Sequence, residues 1–258
     1  MEKTREEKIK EYKKSNAARK EKLALKAGFS TRAEYLASLE KKIKIKKTTK
    51  VKNKGIFYVI DILDASGSMA GGKYTNSVNG IKESIKDLTS RKDVKYSLIE
   101  FIQASKPLNK AVMNQDPSQV SMNLIPFSGA IGGDTPLYYT VYDTISNLVV
   151  NKEDKVLIKV YTDGGNNTKY DYQAKAAEII KKVQKENFTI TFVATPEDLR
   201  KIMNDINIDE SNTLATANTA QGFMDSMKMS RGATMSYFAS ADKGENVLVG
   251  FYKKQEKL

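Results

Sequence analysis

Two short apolar runs, each ending beside an aspartate, constrain what this chain can fold into. Residues 56–63 are almost entirely apolar and lead into Asp64, and residues 156–161 end two positions before Asp163. Continuous apolar runs of this length are typical of strands that are buried on both faces of a parallel sheet. We therefore predict an α/β sheet with both carboxylates at the carboxyl ends of strands, where open α/β sheets bind ligands.

Hydroxyl side chains accompany these carboxylates and predict a site for a hard divalent cation. Asp64, Ser66 and Ser68 alternate in Asp-Ala-Ser-Gly-Ser-Met, and Thr135 lies in Gly-Gly-Asp-Thr-Pro-Leu. Mg²⁺ prefers oxygen ligands in a nearly octahedral array and tends to keep water among them. With only two negatively charged ligands, a bound Mg²⁺ is expected to accept one more anionic oxygen, which an Asp or Glu of a partner protein would supply.

Together with Asp163 in Thr-Asp-Gly, these two motifs resemble the metal-ion-dependent adhesion site of von Willebrand factor A domains. The resemblance spans nearly all of the chain after its first fifth. It implies a doubly wound, mostly parallel open sheet with helices on both faces and the metal at its top. It also implies that Ser66, Ser68 and Thr135 bind Mg²⁺ directly, with Mn²⁺ or Ca²⁺ as alternatives. Asp64 and Asp163 often act through water in this family.

Each motif also has an ordinary structural interpretation. Asp-x-Ser-Gly-Ser is a common turn sequence, and Asp163 could begin a turn with Gly164. Thr135 could cap a helix that Pro136 opens. The agreement of the three motifs in order and in context favours the metal site.

A phosphate-binding loop is a rival interpretation of the same segment. Residues 67–74 match G-x-x-x-x-G-K up to Lys73 and follow a predicted strand. Tyr74, however, stands where a Ser or Thr hydroxyl must reach Mg²⁺, and a nucleotide site leaves Thr135 unexplained. An NTPase is therefore the less favoured alternative.

Composition narrows both the chemistry and the location. The chain has no His and no Cys, which excludes Ser-His-Asp and Cys-His nucleophiles and zinc sites built from imidazole or thiolate. We predict a non-enzymatic, magnesium-dependent protein-interaction domain of bacterial or phage type. The lack of disulfides, of a signal-like apolar segment and of a membrane-spanning run predicts a cytoplasmic protein, or a virion-associated one if it derives from a phage.

The first 54 residues carry the excess positive charge of the chain. They contain 19 Lys or Arg and 7 Asp or Glu, a balance of +12 that equals that of the whole chain, because the remaining residues have 24 of each sign. We predict a basic helical hairpin at 1–42, a Lys-rich linker or edge strand at 43–54, and the main domain at 55–258. The alternative function is a nucleic-acid-associated structural or virion protein that binds polyanions through this arm; the simpler interpretation is a solvated tether.

Hydrophobic periodicity predicts the remaining elements of the main domain. Asp61, inside the first apolar run, is expected to form a buried ion pair with Lys159, because a buried charge needs a partner. The predicted helices are residues 76–88, 137–149, 171–186, 195–206 and 220–236. The predicted further strands are residues 94–102, a short strand around 111–113, 188–193, and 247–252 as a closing strand or an extended tail.

Overall fold

One sheet organises the part of the chain that the computed structural model describes, which is residues 55–102, 108–124, 134–168 and 171–252. The predicted hairpin at 1–42 and the predicted linker at 43–54 lie outside these ranges. The strands of the sheet are β1 (Phe57–Asp64), β2 (Val94–Phe101), β3 (Asn109–Gln115), β4 (Lys155–Tyr161), β5 (Phe188–Ala194) and β6 (Thr213–Ala215).

The sheet has the order β3-β2-β1-β4-β5-β6. Every neighbouring pair is parallel except β2 and β3, which are antiparallel. From β1 in the middle of the sheet the strands thus proceed through β2 to the edge at β3, return to β4 beside β1, and continue to the other edge at β6, which is the doubly wound arrangement. The predicted fold class is confirmed.

Helices cover both faces, and each face has its own apolar core. On one face Val59 and Leu63 of β1 pack with the first and last helices, and on the other face Ile60 and Ile62 pack with the three helices between them. This alternation follows from the two-residue repeat of a strand. The helices are α1 (Gly72–Leu88), α2 (Leu137–Ser146), α3 (Gln173–Val183), α4 (Pro196–Ile206) and α5 (Ala220–Asp242).

Two helix boundaries differ from the prediction by four residues or more, each for an identifiable reason. Helix α1 begins at Gly72 and not at residue 76, directly after Gly71, whose φ of 77° suits a glycine. Helix α5 continues to Asp242 because Phe238 and Ala241 extend its buried side. In the described ranges no helix is both long enough and apolar enough to cross a bilayer.

The prediction of a closing strand at 247–252 is wrong, because the sixth strand of the sheet is β6. Residues 247–252 have no strand pairing, although Phe251 and Tyr252 are buried. Side chains, and not a neighbouring strand, donate hydrogen bonds to its backbone carbonyl groups. Asn212 Nδ2 donates to the Leu248 carbonyl at 2.9 Å, and Thr189 Oγ1 donates to the Val247 carbonyl at 2.9 Å. The segment is an irregular tail with bends at 248–249, a positive φ at Gly250 and a turn at 251–252, so the predicted extended form is not found either.

Candidate metal centre

Neighbouring strands bring the two predicted carboxylates to one edge of the sheet. β1 ends at Asp64, and it pairs in parallel with β4, with Leu63 opposite Tyr161. Asp163 follows two residues after the end of β4. Both carboxylates are buried, and the negative charge of Asp163 adds to the effect of burial in raising the pKa of Asp64.

Asp64 is held in a single orientation by hydrogen bonds to both of its oxygens. Its Oδ1 accepts from the Ser66 backbone N at 2.7 Å, and its Oδ2 accepts from Thr162 Oγ1 at 2.6 Å. Burial raises the pKa of Asp64 to about 6, although the hydrogen bonds from Thr162 and Ser66 act in the opposite direction. Each carboxylate oxygen has a further lone pair with which it can accept a second hydrogen bond.

Ser66, Ser68 and Asp163 form a continuous chain of oxygen atoms. Ser66 Oγ lies 3.1 Å from Ser68 Oγ, and Ser68 Oγ donates to Asp163 Oδ1 at 2.6 Å. Ser66 and Asp163 are buried, whereas Ser68 is exposed. The exposed Ser68 hydroxyl thus connects two buried groups that lie just beyond the ends of β1 and β4.

Thr135 lies beside the turn that carries Asp163. Asn167 binds its backbone on both sides: the Thr135 N donates to Asn167 Oδ1, and the Asn167 N donates to the Thr135 carbonyl at 3.3 Å. A methyl group added at Gly164 would lie 4.0 Å from Thr135 Oγ1, so the hydroxyl is close to the residue that follows Asp163. Thr135 does not cap α2, whose N-cap position is Pro136 and has no side-chain hydrogen bond.

A lysine reaches the same carboxylate from the first turn of α1. Lys73 Nζ donates to Asp163 Oδ2 and, at 2.7 Å, to Asn218 Oδ1. The two oxygens of Asp163 are thus divided between the Ser68 hydroxyl and the Lys73 ammonium group. Sequence analysis considered Lys73 only as a phosphate-binding lysine and did not select Asn218.

The chain matches no protein-family model and no curated protein. Its fold is nevertheless similar to solved structures. Proximal thread matrix protein 1 from the mussel byssus, solved with a zinc-occupied MIDAS motif, has a TM-score of 0.55 and 16% identity over 68% of this chain and 44% of its own. The pilus adhesin SpaC from Lactobacillus rhamnosus GG has a TM-score of 0.51 and 14% identity over 70% of this chain and 30% of its own. The PilB minor pilin from Streptococcus sanguinis has a TM-score of 0.50 and 14% identity over 72% of this chain and 63% of its own.

MIDAS denotes the metal-ion-dependent adhesion site, so one of these structures combines the same fold with the site that the three motifs resemble. This chain has a von Willebrand factor A fold. The identities are low enough that the similarity establishes the fold alone. The chain spans less than two thirds of the length of each of these three proteins.

The donors on this von Willebrand factor A fold fit a hard divalent cation. In an octahedron with metal–oxygen distances of 2.0–2.1 Å, neighbouring ligands lie about 2.9 Å apart. The spacings of 3.1 Å from Ser66 to Ser68 and 2.6 Å from Ser68 to Asp163 lie on either side of that value. The described residues contain no cluster of three or more His, Cys, Asp or Glu suited to a metal, so a cation here depends on hydroxyl oxygens as well as on carboxylates.

The phosphate-binding-loop alternative loses support at Tyr74, the last position of its motif. The Tyr74 hydroxyl, which would have to replace the Mg²⁺-binding Ser or Thr, donates to Glu100 Oε1 at 2.5 Å. Glu100 is buried at the end of β2 and also accepts from Asn109 Nδ2. Tyr74 is thus engaged by another strand and does not complete a phosphate-binding loop.

A cleft opens beside Asp163, between the start of α4 and the loop that precedes α5. It has a volume of about 710 Å³, which exceeds what a single ion needs and can admit a side chain of another protein. Asp163 and Asn218, the two residues that bind Lys73, contribute to its wall. The residues that line the cleft are Asp163, Thr195, Pro196, Glu197, Asp198, Arg200, Ala215, Thr216, Ala217 and Asn218.

Proposed function

We propose that this chain is a non-enzymatic protein-interaction module that captures an acidic residue of a partner protein through a bound Mg²⁺ ion. Ser66, Ser68 and Thr135 are the direct ligands in this proposal, and Asp64 and Asp163 act directly or through water. Bound Mg²⁺ would supply a positive coordination position that a carboxylate oxygen of the partner can fill. Mn²⁺ or Ca²⁺ could take its place, because all the donors are oxygen atoms.

The observation that carries the proposal is the chain of oxygen atoms from Ser66 through Ser68 to Asp163. Its middle hydroxyl, on Ser68, is exposed, its last member is a buried carboxylate, and it adjoins a cleft that is large enough for a side chain. The von Willebrand factor A fold and the zinc-occupied MIDAS motif of a similar structure add support.

Other residues of this chain would orient the ligands. The Ser66 backbone N and the Thr162 hydroxyl fix the Asp64 carboxylate. Asn167 fixes the backbone on both sides of Thr135. Ligands that are already positioned lose less conformational entropy when the metal binds, which favours binding.

The experiment compares the wild-type chain with Asp64→Ala and Ser68→Ala. Mn²⁺ binding is measured by electron paramagnetic resonance, and capture of acidic peptides from a displayed library is scored in Mg²⁺ and in chelator. We expect the wild type to bind Mn²⁺ and to enrich Asp- or Glu-containing peptides only with metal, and both variants to lose these activities while remaining folded. Metal-independent enrichment, or the absence of Mn²⁺ binding even with acidic peptide present, would refute the proposal.

The charge of the first 54 residues favours a second candidate, a nucleic-acid-associated structural or virion protein. A balance of +12 in one segment supplies the sequence-independent attraction to phosphate that non-specific binding requires. Retention of the full chain on DNA that falls steeply with salt would support this candidate. The cytoplasmic or virion location, like this second contact, stays a prediction from the sequence.

A further inference from the structure

Lys73 supplies a positive charge to a carboxylate that the protein buries. The Asp163 side chain is fully shielded from solvent, and the Lys73 side chain is only 16% exposed. A buried carboxylate is costly unless a cation or hydrogen-bond donors compensate it. Lys73 Nζ and Ser68 Oγ compensate one oxygen of Asp163 each.

The backbone of Lys73 is fixed, whereas its ammonium group is at the end of a flexible stem. The Lys73 carbonyl accepts from Ser77 Oγ at 2.9 Å within α1. The start of α1 is fastened to the start of α5, because Asn76 Nδ2 donates to the Ala220 carbonyl at 2.8 Å. Only the side chain of Lys73 therefore needs to move for its ammonium group to leave Asp163.

We infer that Lys73 is an internal competitor of the metal and sets the metal affinity of this site. The inference rests on the proposed function, since it concerns the same ligands. An ammonium group bonded to Asp163 occupies a carboxylate oxygen that a divalent cation would use and repels that cation at short range. Metal binding therefore requires the pair between Lys73 and Asp163 to separate.

The experiment measures the Mn²⁺ affinity of the full chain and of four variants by electron paramagnetic resonance, with isothermal titration calorimetry as a check. Lys73→Met removes the charge, and Lys73→Gln removes it while keeping a group that can hydrogen-bond to Asp163. Lys73→Arg keeps the charge. Lys86→Met is the matched control, because the exposed Lys86 lies at the far end of the same helix and pairs with the half-buried Glu83.

We expect Lys73→Met and Lys73→Gln to lower the Kd for Mn²⁺ on the order of tenfold or more, because a repelling charge and a competing ion pair are removed together. Lys73→Arg should show little of this gain, and Lys86→Met none. Without metal Lys73→Met should melt at a lower temperature than the wild type, and saturating Mn²⁺ should raise its Tm by more. If Lys73→Met does not fold, Lys73→Gln provides the same comparison.

The outcomes separate this inference from the proposed function. If the wild type binds Mn²⁺ but Lys73→Met and Lys73→Gln bind it no more tightly, the inference is overturned and the metal site stands. Weaker binding by these variants also overturns it, since Lys73 would then support the site. If no protein in the series binds Mn²⁺, the proposed function fails and the inference fails with it.

Discussion

Asp61 of β1 stands directly opposite Lys159 of β4, and Lys159 Nζ lies 3.1 Å from Asp61 Oδ1 in the middle of the core. The contact is an ion pair and not a directed hydrogen bond, since Asp61 Oδ1 has no hydrogen-bond partner. Asp61 Oδ2 accepts from the Tyr96 hydroxyl at 2.7 Å. The predicted pairing of these two charges is confirmed, and parallel pairing of β1 with β4 is what places them at the same depth.

We expect Asp61→Ala to reduce the free energy of unfolding by about 3–5 kcal/mol, because it leaves Lys159 buried without a counter-charge. The double variant Asp61→Leu with Lys159→Met should recover most of this loss, since apolar side chains can replace a buried ion pair. Urea unfolding of Asp61→Ala measures the loss, and urea unfolding of Asp61→Leu, of Lys159→Met and of the double variant, each against the wild type, measures the coupling. Additive effects of the two sites would show that the pair does not act as a unit.

Glu100 makes the stability of the fold depend on pH. Burial raises its pKa to about 7, although the Tyr74 and Asn109 hydrogen bonds act in the opposite direction. Between pH 4.5 and 7 the unfolded chain has released this proton while the folded chain still holds it. The free energy of unfolding therefore falls as pH rises through this window, by about 3 kcal/mol at most.

Glu100→Gln isolates this contribution, because glutamine imitates the protonated carboxyl group. We expect the free energy of unfolding of the wild type to fall relative to that of Glu100→Gln as pH rises, by up to about 3 kcal/mol between pH 4.5 and 7. Urea unfolding across this range measures it. A difference that does not change with pH would show that Glu100 titrates normally in the folded chain.

Thr135 should matter for metal binding and little for stability. Since it does not cap α2, Thr135→Ala is expected to cost under about 1 kcal/mol of stability and to weaken Mn²⁺ binding and metal-dependent peptide capture strongly. Thr219→Ala is the matched control, because Thr219 Oγ1 accepts from the Gly222 N at 3.0 Å and caps α5. It should cost about 1 kcal/mol and leave Mn²⁺ binding unchanged. Thr135→Ala that unfolds the chain but still binds Mn²⁺ would contradict the ligand role.

Deleting residues 2–54 tests whether the basic segment is an appendage. The two apolar cores of the described residues are built within residues 57–252, so we expect the truncated chain to fold and to keep Mn²⁺ binding. Its formal charge falls from +12 to zero, and any salt-sensitive retention on polyanions should disappear. Circular dichroism, Mn²⁺ titration and a heparin column measure these properties. Failure to fold would place apolar residues of the first segment, such as Phe29 and Leu36, in the main core.

Local signals predicted most of the fold. Apolar runs revealed β1 and β4. Helical spacing revealed α2, α3 and α4 within three residues, and α5 except for its last six residues. β6 was not predicted, because its three residues include a single large apolar side chain, that of Leu214, and form a strand only by pairing with β5. A three-residue strand has too few positions to show an alternating pattern.

The candidate site also has a part that could be predicted from the sequence and a part that could not. Asp64, Ser66 and Ser68 follow one strand closely in sequence, so their proximity could be predicted from that strand alone. The bond from Lys73 to Asp163 joins residues 90 positions apart and depends on where α1 begins. Residues 72–75 lack apolar periodicity, so that first helical turn was not visible in the sequence. The effect of Lys73 on the site therefore could not be predicted.

The attachment of residues 247–252 to the domain should depend on the buried side-chain amide of Asn212. Asn212 is 1% exposed, and its side chain donates to the Leu248 carbonyl at 2.9 Å and accepts from the Phe251 N at 3.1 Å. Asn212→Ala leaves both backbone groups without these partners, and we expect a loss of about 2–4 kcal/mol in the free energy of unfolding together with faster amide exchange at Phe251. Asn246→Ala is the control, because Asn246 Oδ1 accepts from the Leu248 N at 3.0 Å but is exposed to water, which can replace it at a cost within about 1 kcal/mol. Urea unfolding and hydrogen exchange of the two variants measure the difference. Equal stability of the two variants would mean that burial of Phe251 and Tyr252 holds the tail without the amide.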